Sequence, residues 1–293
     1  MKNNYLKYFG FALATILFFI LIKLSNVIEF AKNMKVEAQE DKIILIIGVI
    51  IIMHFVLLIH ELGHVVMGLL QGFRFELLVV GLLGIKREEE KIKIYLNKNF
   101  GYYGGLGLTV PKDDSPDNLR KFANVLLAGP IASIVFAVMC FFMVNYLANP
   151  YGVIVFTAGL ASFGIFLATT IPSRSGMFYT DRKRYQRLIT AGKDQDVELA
   201  MLTVLGSFVK NQSYKDIKKE VFDVLITDND LFVKHYGLFN FIFWQIEHEG
   251  AIDDKVKEEY NQISKKLNKN MVKSYNDEIQ KYAEKLKCKI DLN

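Results

Sequence analysis

The sequence is poor in several residue types, and each shortage excludes a class of protein. Two cysteines, Cys140 and Cys288, are too few for a disulfide framework. The formal net charge is only +5, and no basic stripe is interleaved with aromatic side chains, so we expect no nucleic-acid partner. Internal repeats of the kind that many transporters contain are also missing.

Apolar residues, by contrast, are abundant. They make up 52% of the chain, and the mean hydropathy is +0.21, which is too high for a typical soluble protein. A chain of 293 residues is long enough for a membrane domain followed by a soluble one. The first apolar run is long, and no small-residue cleavage site follows it. It therefore predicts a retained membrane span and not a cleaved signal peptide.

Four apolar stretches predict transmembrane helices. They cover residues 5–24, 43–70, 122–147 and 153–171. Basic residues cluster after the last of them, at Arg174, Arg182, Lys183, Arg184 and Arg187. The positive-inside rule then places both termini and residues 71–118 in the cytoplasm. We expect a multi-pass, α-helical protein of a bacterial cell membrane, in contact with the lipid bilayer.

Two further regions complete the expected organisation. Residues 71–118 predict a small cytoplasmic insertion of strands and loops, because residues 91–96 alternate strictly and residues 100–111 are rich in glycine. From residue 191 to 293 the apolar residues recur at three-and-four spacing. We expect helices over residues 197–209, 214–226, 231–247, 255–267 and 271–286. Residues 1–190 would form the membrane domain, and residues 191–293 an all-α cytoplasmic domain with a possible protein partner.

One short motif lies in the second apolar stretch. His60, Glu61 and His64 form a His-Glu-x-x-His sequence, and on a helix the two histidines share one face. That spacing allows both imidazoles to bind one Zn²⁺, while Glu61 can take a proton from water. Three ionisable residues so close together in a membrane span are costly unless they bind something. His54 lies about 120° round the helix and is expected to support the site or to contact another helix.

The motif belongs to a longer ordered set. After it come Gly-Gly-Leu-Gly at residues 104–107, Asn-Val-Leu-Leu-Ala-Gly-Pro at residues 124–130, then Pro172 and Asp181. In this order the chain resembles the site-2 protease family of intramembrane zinc metalloproteases, over about residues 43–190. The resemblance implies a Zn²⁺ cofactor held by His60, His64 and Asp181, with Glu61 as the catalytic base. It implies a substrate that is a membrane-embedded protein or a hydrophobic leader peptide.

The third ligand has alternatives. Asp113, Asp114 and Asp117 lie in a solvated turn, and His235 and His248 lie in the C-terminal region. Asp181 could also cap the helix that follows it. Two positions depart from the family pattern. Arg182 stands where a glycine usually follows the aspartate, and Ser133 stands where an asparagine is common, so no oxyanion donor is assigned. Asn124 could serve only if its face turns to the site.

Three functions remain open at this stage. The first is an intramembrane zinc endopeptidase, in which residues 101–110 either pair with an unwound substrate or simply cover the site. The second is a catalytically inactive zinc-binding membrane protein that acts as a regulator or scaffold. The third is a transporter or channel, which the low charge of the other spans and the lack of a repeat disfavour.

Overall fold

The fold is mostly helical, with a small four-stranded antiparallel sheet and a separate pair of two-residue strands among the described residues. It is taken from a computed structural model that describes residue 23 and residues 26–88, 91–98, 102–175 and 178–288. The predicted first span, residues 5–24, falls outside these residues apart from residue 23. A short helix, α1 (Val27–Asn33), opens the main described part.

Among the described residues, three helices are long and apolar enough to cross a membrane. They are α2 (Gln39–Leu70), α3 (Asn118–Met143) and α4 (Tyr151–Thr170). They correspond to the second, third and fourth predicted spans. Helices α2 and α3 begin four residues earlier than predicted, at residues 39 and 118, and α3 passes into a 3₁₀ turn at Val144–Tyr146. The polar first turns of both helices fall outside the apolar runs on which the prediction depended.

The three long helices pack closely around small residues. Val56 of α2, Cys140 of α3 and Ala158 of α4 form a shared buried cluster. Gly63 brings α2 against α3, because a Cβ atom there would lie 2.6 Å from the carbonyl oxygen of Ala128. On its outer face, α2 exposes a set of large apolar side chains, among them Ile46, Ile47, Ile50 and Ile51. This exposed surface suits contact with lipid tails.

The segment between α2 and α3 forms a four-stranded antiparallel sheet in the order β3-β2-β1-β4. Its strands are β1 (Arg74–Val80), β2 (Leu83–Glu88), β3 (Lys91–Leu96) and β4 (Leu106–Val110). The alternating residues 91–96 do form a strand, as predicted. Strands β1 and β2 were not predicted individually. They pair from Leu77↔Lys86 to Val80↔Leu83, and β4 pairs along the other edge of β1.

The sheet lies against the second half of α2. Leu78 and Val80 of β1 are buried with Val65 of α2. Gly68 of α2 has no room for a side chain, because Thr109 of β4 occupies that space. The glycine-rich part of the chain therefore reaches the helix that carries the His-Glu-x-x-His motif.

A short hairpin of two-residue strands follows α4, with β5 (Arg174–Ser175) paired to β6 (Phe178–Tyr179). The remaining helices are α5 (Asp181–Ile189), α6 (Lys193–Asn211), α7 (Lys219–Ile226), α8 (Leu231–Glu249), α9 (Asp254–Ser264) and α10 (Lys269–Lys285). All five predicted C-terminal helices are present. The second begins at residue 219 and not at residue 214, because Gln212, the C-cap of α6, has a left-handed conformation and a turn follows it.

The C-terminal helices share one core, in which Phe222, Leu225, Leu238 and Ile242 are fully buried. Trp244 of α8 is partly buried and packs against this core. A second buried cluster contains Phe122 of α3, Leu188 of α5 and Leu202 of α6. It joins the start of the C-terminal helices to the membrane-spanning part.

Candidate metal centre

Three side chains from two distant parts of the chain meet at one point. His60 and His64 lie one turn apart on α2, and Asp181 is the first residue of α5. The Asp181 Oδ2 atom is 3.3 Å from His60 Nε2 and 3.4 Å from His64 Nε2, and the two nitrogens are 3.3 Å apart. Both histidines are buried, and the Asp181 side chain is 19% exposed. The three atoms form a nearly equilateral triangle.

The second nitrogen of each imidazole ring is held by α3. His64 Nδ1 lies 2.7 Å from the carbonyl oxygen of Val125, and His60 Nδ1 lies 2.9 Å from Ser133 Oγ. A carbonyl oxygen can only accept a hydrogen bond. His64 Nδ1 therefore carries a proton and donates a hydrogen bond to Val125. In a neutral ring, this leaves the Nε2 lone pair free for a metal.

Ser133 has a place in this arrangement that the sequence did not reveal. It occupies the position where the family resemblance expected an asparagine, and its hydroxyl contacts His60. Its own backbone carbonyl accepts a hydrogen bond of 2.8 Å from Ser162 Oγ of α4. Helices α3 and α4 thus both contribute to the orientation of the His60 ring.

Gly129 explains part of the Ala-Gly-Pro sequence in α3. A Cβ atom at this position would collide with the imidazole ring of His64. Only a residue without a side chain therefore allows α3 to approach this ring. The glycine is required by the metal-site geometry, in addition to the close helix packing that the sequence indicated.

Asp181 does not act as a helix cap. The N-cap residue of α5 is Thr180, and no side chain makes a capping hydrogen bond there. The Asp181 Oδ2 atom is buried, and among the described residues only the two imidazoles approach it. Burial alone would raise the pKa of Asp181, but its contacts with His60 and His64 outweigh that effect and lower the pKa.

The arginine that follows Asp181 turns away from the three ligand atoms. The guanidinium group of Arg182 lies over the ring of Tyr185, with 5.2 Å between its carbon and the ring centroid. The replacement of the usual glycine therefore places a cation–π contact beside the site.

Glu61 is held on the side of the sheet. Its Oε2 atom accepts a 2.6 Å hydrogen bond from the backbone N–H of Gly107 in β4. Gly105, at φ +102°, lies so close that a Cβ atom there would be 2.6 Å from Glu61 Oε1. Glycine is required at this position for two reasons: a side chain would collide with Glu61, and residues with a side chain disfavour this φ. The glycine-rich segment thus packs directly on the carboxylate of Glu61.

Other residues considered from the sequence lie elsewhere. His54 Nδ1 bonds to the carbonyl of Ile50, and its ring packs against Gly81 in the β1–β2 turn. Asn124 is exposed and is not part of the cluster. The alternative third ligands are outside the cluster. Asp113, Asp114 and Asp117 lie in the loop before α3, and His235 and His248 lie on α8.

The chemistry of the donor set fits a zinc ion. Zinc binds imidazole nitrogen and carboxylate oxygen at about 2.0–2.1 Å, and a tetrahedron with such bonds has edges of about 3.3–3.4 Å. The observed separations of 3.3, 3.3 and 3.4 Å match these edges. Two imidazoles and one carboxylate also leave one tetrahedral position open, as catalytic zinc sites do.

Comparison with known protein families gives one finding. Residues 48–287 match the model of peptidase family M50. The match includes the metal-site residues and extends through the C-terminal helices, well beyond the motifs that ended near residue 190. The comparisons with curated proteins and with solved structures give no match.

Proposed function

Because the chain belongs to peptidase family M50, a family of zinc metalloproteases, we propose that it is an intramembrane zinc endopeptidase. It would hydrolyse a peptide bond in or near the transmembrane segment of a membrane protein, or in a hydrophobic leader peptide. The observation that carries the proposal is the triangle of His60, His64 and Asp181 on and beside a helix that can span a membrane.

Each of four residues has a role in this proposal. His60, His64 and Asp181 hold the metal, and the contacts of the histidines with Ser133 and Val125 fix their rings. Zinc, when bound, polarises a peptide carbonyl and lowers the pKa of water toward about 7. Glu61 takes a proton from the attacking water and passes it to the leaving amine.

The position of Glu61 suits this transfer. One of its carboxylate oxygens is engaged by the N–H of Gly107, which fixes the group on the β4 side of the site. The other oxygen, Oε1, accepts no described hydrogen bond and remains available for a proton. Glu61 also follows the ligand His60 directly on α2, so both residues lie on the same helical turn.

The sheet offers a way to present an extended substrate. A peptide bond inside a helix is shielded by its own hydrogen bonds, so the substrate must unwind locally before it is cleaved. Strand β4 is an edge strand of the sheet. Among the described strands it pairs only with β1. An unwound peptide that pairs along its other edge would lie next to Glu61.

The three apolar helices support a multi-pass location in a cell membrane. The basic residues after α4 favour a cytoplasmic position for the sheet and for α6–α10. Substrate would then enter from the bilayer, and a protein partner would have access to the C-terminal helices from the cytoplasm.

Cleavage by purified protein in liposomes tests the proposal. A small panel of single-span membrane peptides would be incubated with the full chain, with and without a chelator. Cleavage that is lost on chelation and restored by zinc is the expected result. Stoichiometric zinc without cleavage of any peptide would favour the non-enzymatic regulator or scaffold, and a protein that binds no zinc would refute both.

A further inference from the structure

Asp230, the N-cap of α8, contacts both the first turn of that helix and the β5–β6 hairpin. As the N-cap of α8 it accepts a 2.9 Å hydrogen bond from the N–H of Phe232. The same carboxylate binds the hairpin that precedes Asp181. Arg174 NH1 lies 2.7 Å from its Oδ2 atom, and Tyr179 donates its hydroxyl to Oδ2 at 3.0 Å. The Asp230 side chain is only 5% exposed, whereas the Arg174 side chain is 42% exposed, so the carboxylate is buried and the guanidinium group is partly in contact with water.

Glu198 of α6 makes a second set of contacts, with the helix that begins at Asp181. Arg187 Nε lies 3.0 Å from Glu198 Oε1, and Arg184 NH2 lies 3.1 Å from Glu198 Oε2. Glu198 is 3% exposed and Arg187 is 6% exposed, so the pair is buried. Asp194 adds a further contact of 2.8 Å to Arg187 NH1.

The residues that these two sets of contacts hold lie on both sides of Asp181 in the sequence. Tyr179 lies two residues before Asp181, and Arg184 and Arg187 lie three and six residues after it. The Arg187 guanidinium also lies over the ring of Tyr179, 4.8 Å from its centroid, which links the two sets. In both, the acidic partner comes from the C-terminal helices. The two histidines, in contrast, are fixed by α2 and α3.

The energetics of buried ion pairs point to positioning more than to stability. Removing charges from water costs about as much as the pair regains, so the net stabilisation from such pairs is small. What they do well is to favour one arrangement of the elements that they join. Here the joined elements are the segment that carries Asp181 and the helices α6 and α8.

We propose that Asp230 and Glu198 are positioning residues, through which the C-terminal helices hold Asp181 at bonding distance from the metal that His60 and His64 bind. The inference rests on the proposed metal site and assigns a role to the C-terminal helices. These helices are then part of the metal-binding machinery, although no ligand comes from them.

Substitution Asp230→Asn is the sharpest test, because asparagine caps helices about as well as aspartate. It removes the charge that binds Arg174 and leaves the cap of α8. Asp253→Asn is the matched control. Asp253 caps α9 in the same way, with N–H groups of Lys255 and Val256, and is remote from the hairpin.

Zinc affinity, measured in the full-length protein by competition with a chromophoric chelator, is the main readout. We expect Asp230→Asn to weaken it by about 10- to 100-fold, as loss of a group that orients a metal ligand does. Asp253→Asn should match the parent. Cobalt in place of zinc gives a second readout, because its visible spectrum should report a lost carboxylate in the first variant only.

Helix content and thermal melting in detergent establish that each variant is folded. A folded Asp230→Asn protein with the zinc affinity and cobalt spectrum of the parent would overturn the inference and leave the proposed function intact. If that variant does not fold, Glu198→Gln, which keeps one acceptor oxygen for Arg187, is judged by the same two readouts. A parent protein that binds no metal overturns the proposed function itself, and the inference with it.

Discussion

His60 Nδ1 lies 2.9 Å from Ser133 Oγ, and this contact joins the helix that carries the metal-binding motif to the next helix in the chain. Ser133 is fully buried, and its carbonyl is in turn bound by Ser162 of α4. The orientation of one imidazole ring therefore depends on three packed helices. Such outer contacts keep the ring nitrogen pointed at the metal.

Substitution Ser133→Ala tests this contact. It leaves the Nδ1 proton of His60 without an acceptor, so we expect zinc affinity and cleavage rate to fall by about 10- to 100-fold. Zinc competition assays and initial rates would measure the change. Ser207→Ala, at a buried serine on α6, is the control and should alter neither quantity. Normal zinc affinity in Ser133→Ala would remove this serine from the site.

Substitution Glu61→Gln separates metal binding from catalysis. Glutamine can no longer accept the proton, so cleavage should fall by about 10²- to 10⁴-fold, as loss of a general base does. Zinc content should be unchanged, because Glu61 is not among the three converging ligands. Glu88→Gln, at an exposed carboxylate of β2, serves as the control. Cleavage at a near-normal rate by Glu61→Gln would rule out the base role.

Substitution Gly129→Ala tests the packing of α3 on the site. The added methyl group meets the His64 ring, so the fold should lose about 1–3 kcal/mol through overpacking. Displacement of the ring should also weaken zinc binding. Gly164→Ala on α4 is the matched control, because a Cβ atom there meets nothing within 4 Å. Comparable melting temperatures and zinc affinities in the two variants would contradict the observed packing.

The stability of the C-terminal helices should fall in mild acid because of His235. This side chain is fully buried beside Tyr260 and Ser264, and burial lowers its pKa to about 4. In the unfolded chain the histidine has a pKa near 6.5, so below that pH the unfolded chain binds a proton that the folded chain does not. Acid therefore favours the unfolded chain. We expect the free energy of unfolding to drop by about 2 kcal/mol between pH 7.5 and pH 5.

Fluorescence of Trp244, the single tryptophan of the chain, reports this unfolding in urea. His235→Gln cannot titrate, so its unfolding free energy should be nearly constant over the same pH range. His248→Gln, at the exposed histidine of the same helix, should keep the pH dependence of the parent. An unchanged pH dependence in His235→Gln would show that other groups cause it.

Periodicity predicted the described part of the fold well where one pattern ran for many residues. The three apolar helices and the five C-terminal helices were found by length and spacing. Strands β1 and β2 were missed individually. In β1, residues 77–80 form a continuous apolar run and give no alternation. The burial of its last three residues against α2 and the sheet decides its conformation, and that is a tertiary effect.

The cluster of His60, His64 and Asp181 that could hold a metal was predictable only in part from local sequence. His60, Glu61 and His64 are local in sequence, so the four-residue spacing of the two histidines alone indicated that these two share one face. Asp181 lies more than a hundred residues away and followed only from the family resemblance. The contact of Ser133 with His60 and the anchors at Glu198 and Asp230 depend on how helices pack. No local pattern encodes such contacts.

X-ray absorption at the zinc edge of the purified full-length protein tests the central claim most directly. The account predicts one zinc per chain, with two imidazole nitrogens and one carboxylate oxygen at about 2.0–2.1 Å and no sulfur ligand. A spectrum with sulfur in the first coordination sphere, or a protein that retains no stoichiometric zinc, would contradict it.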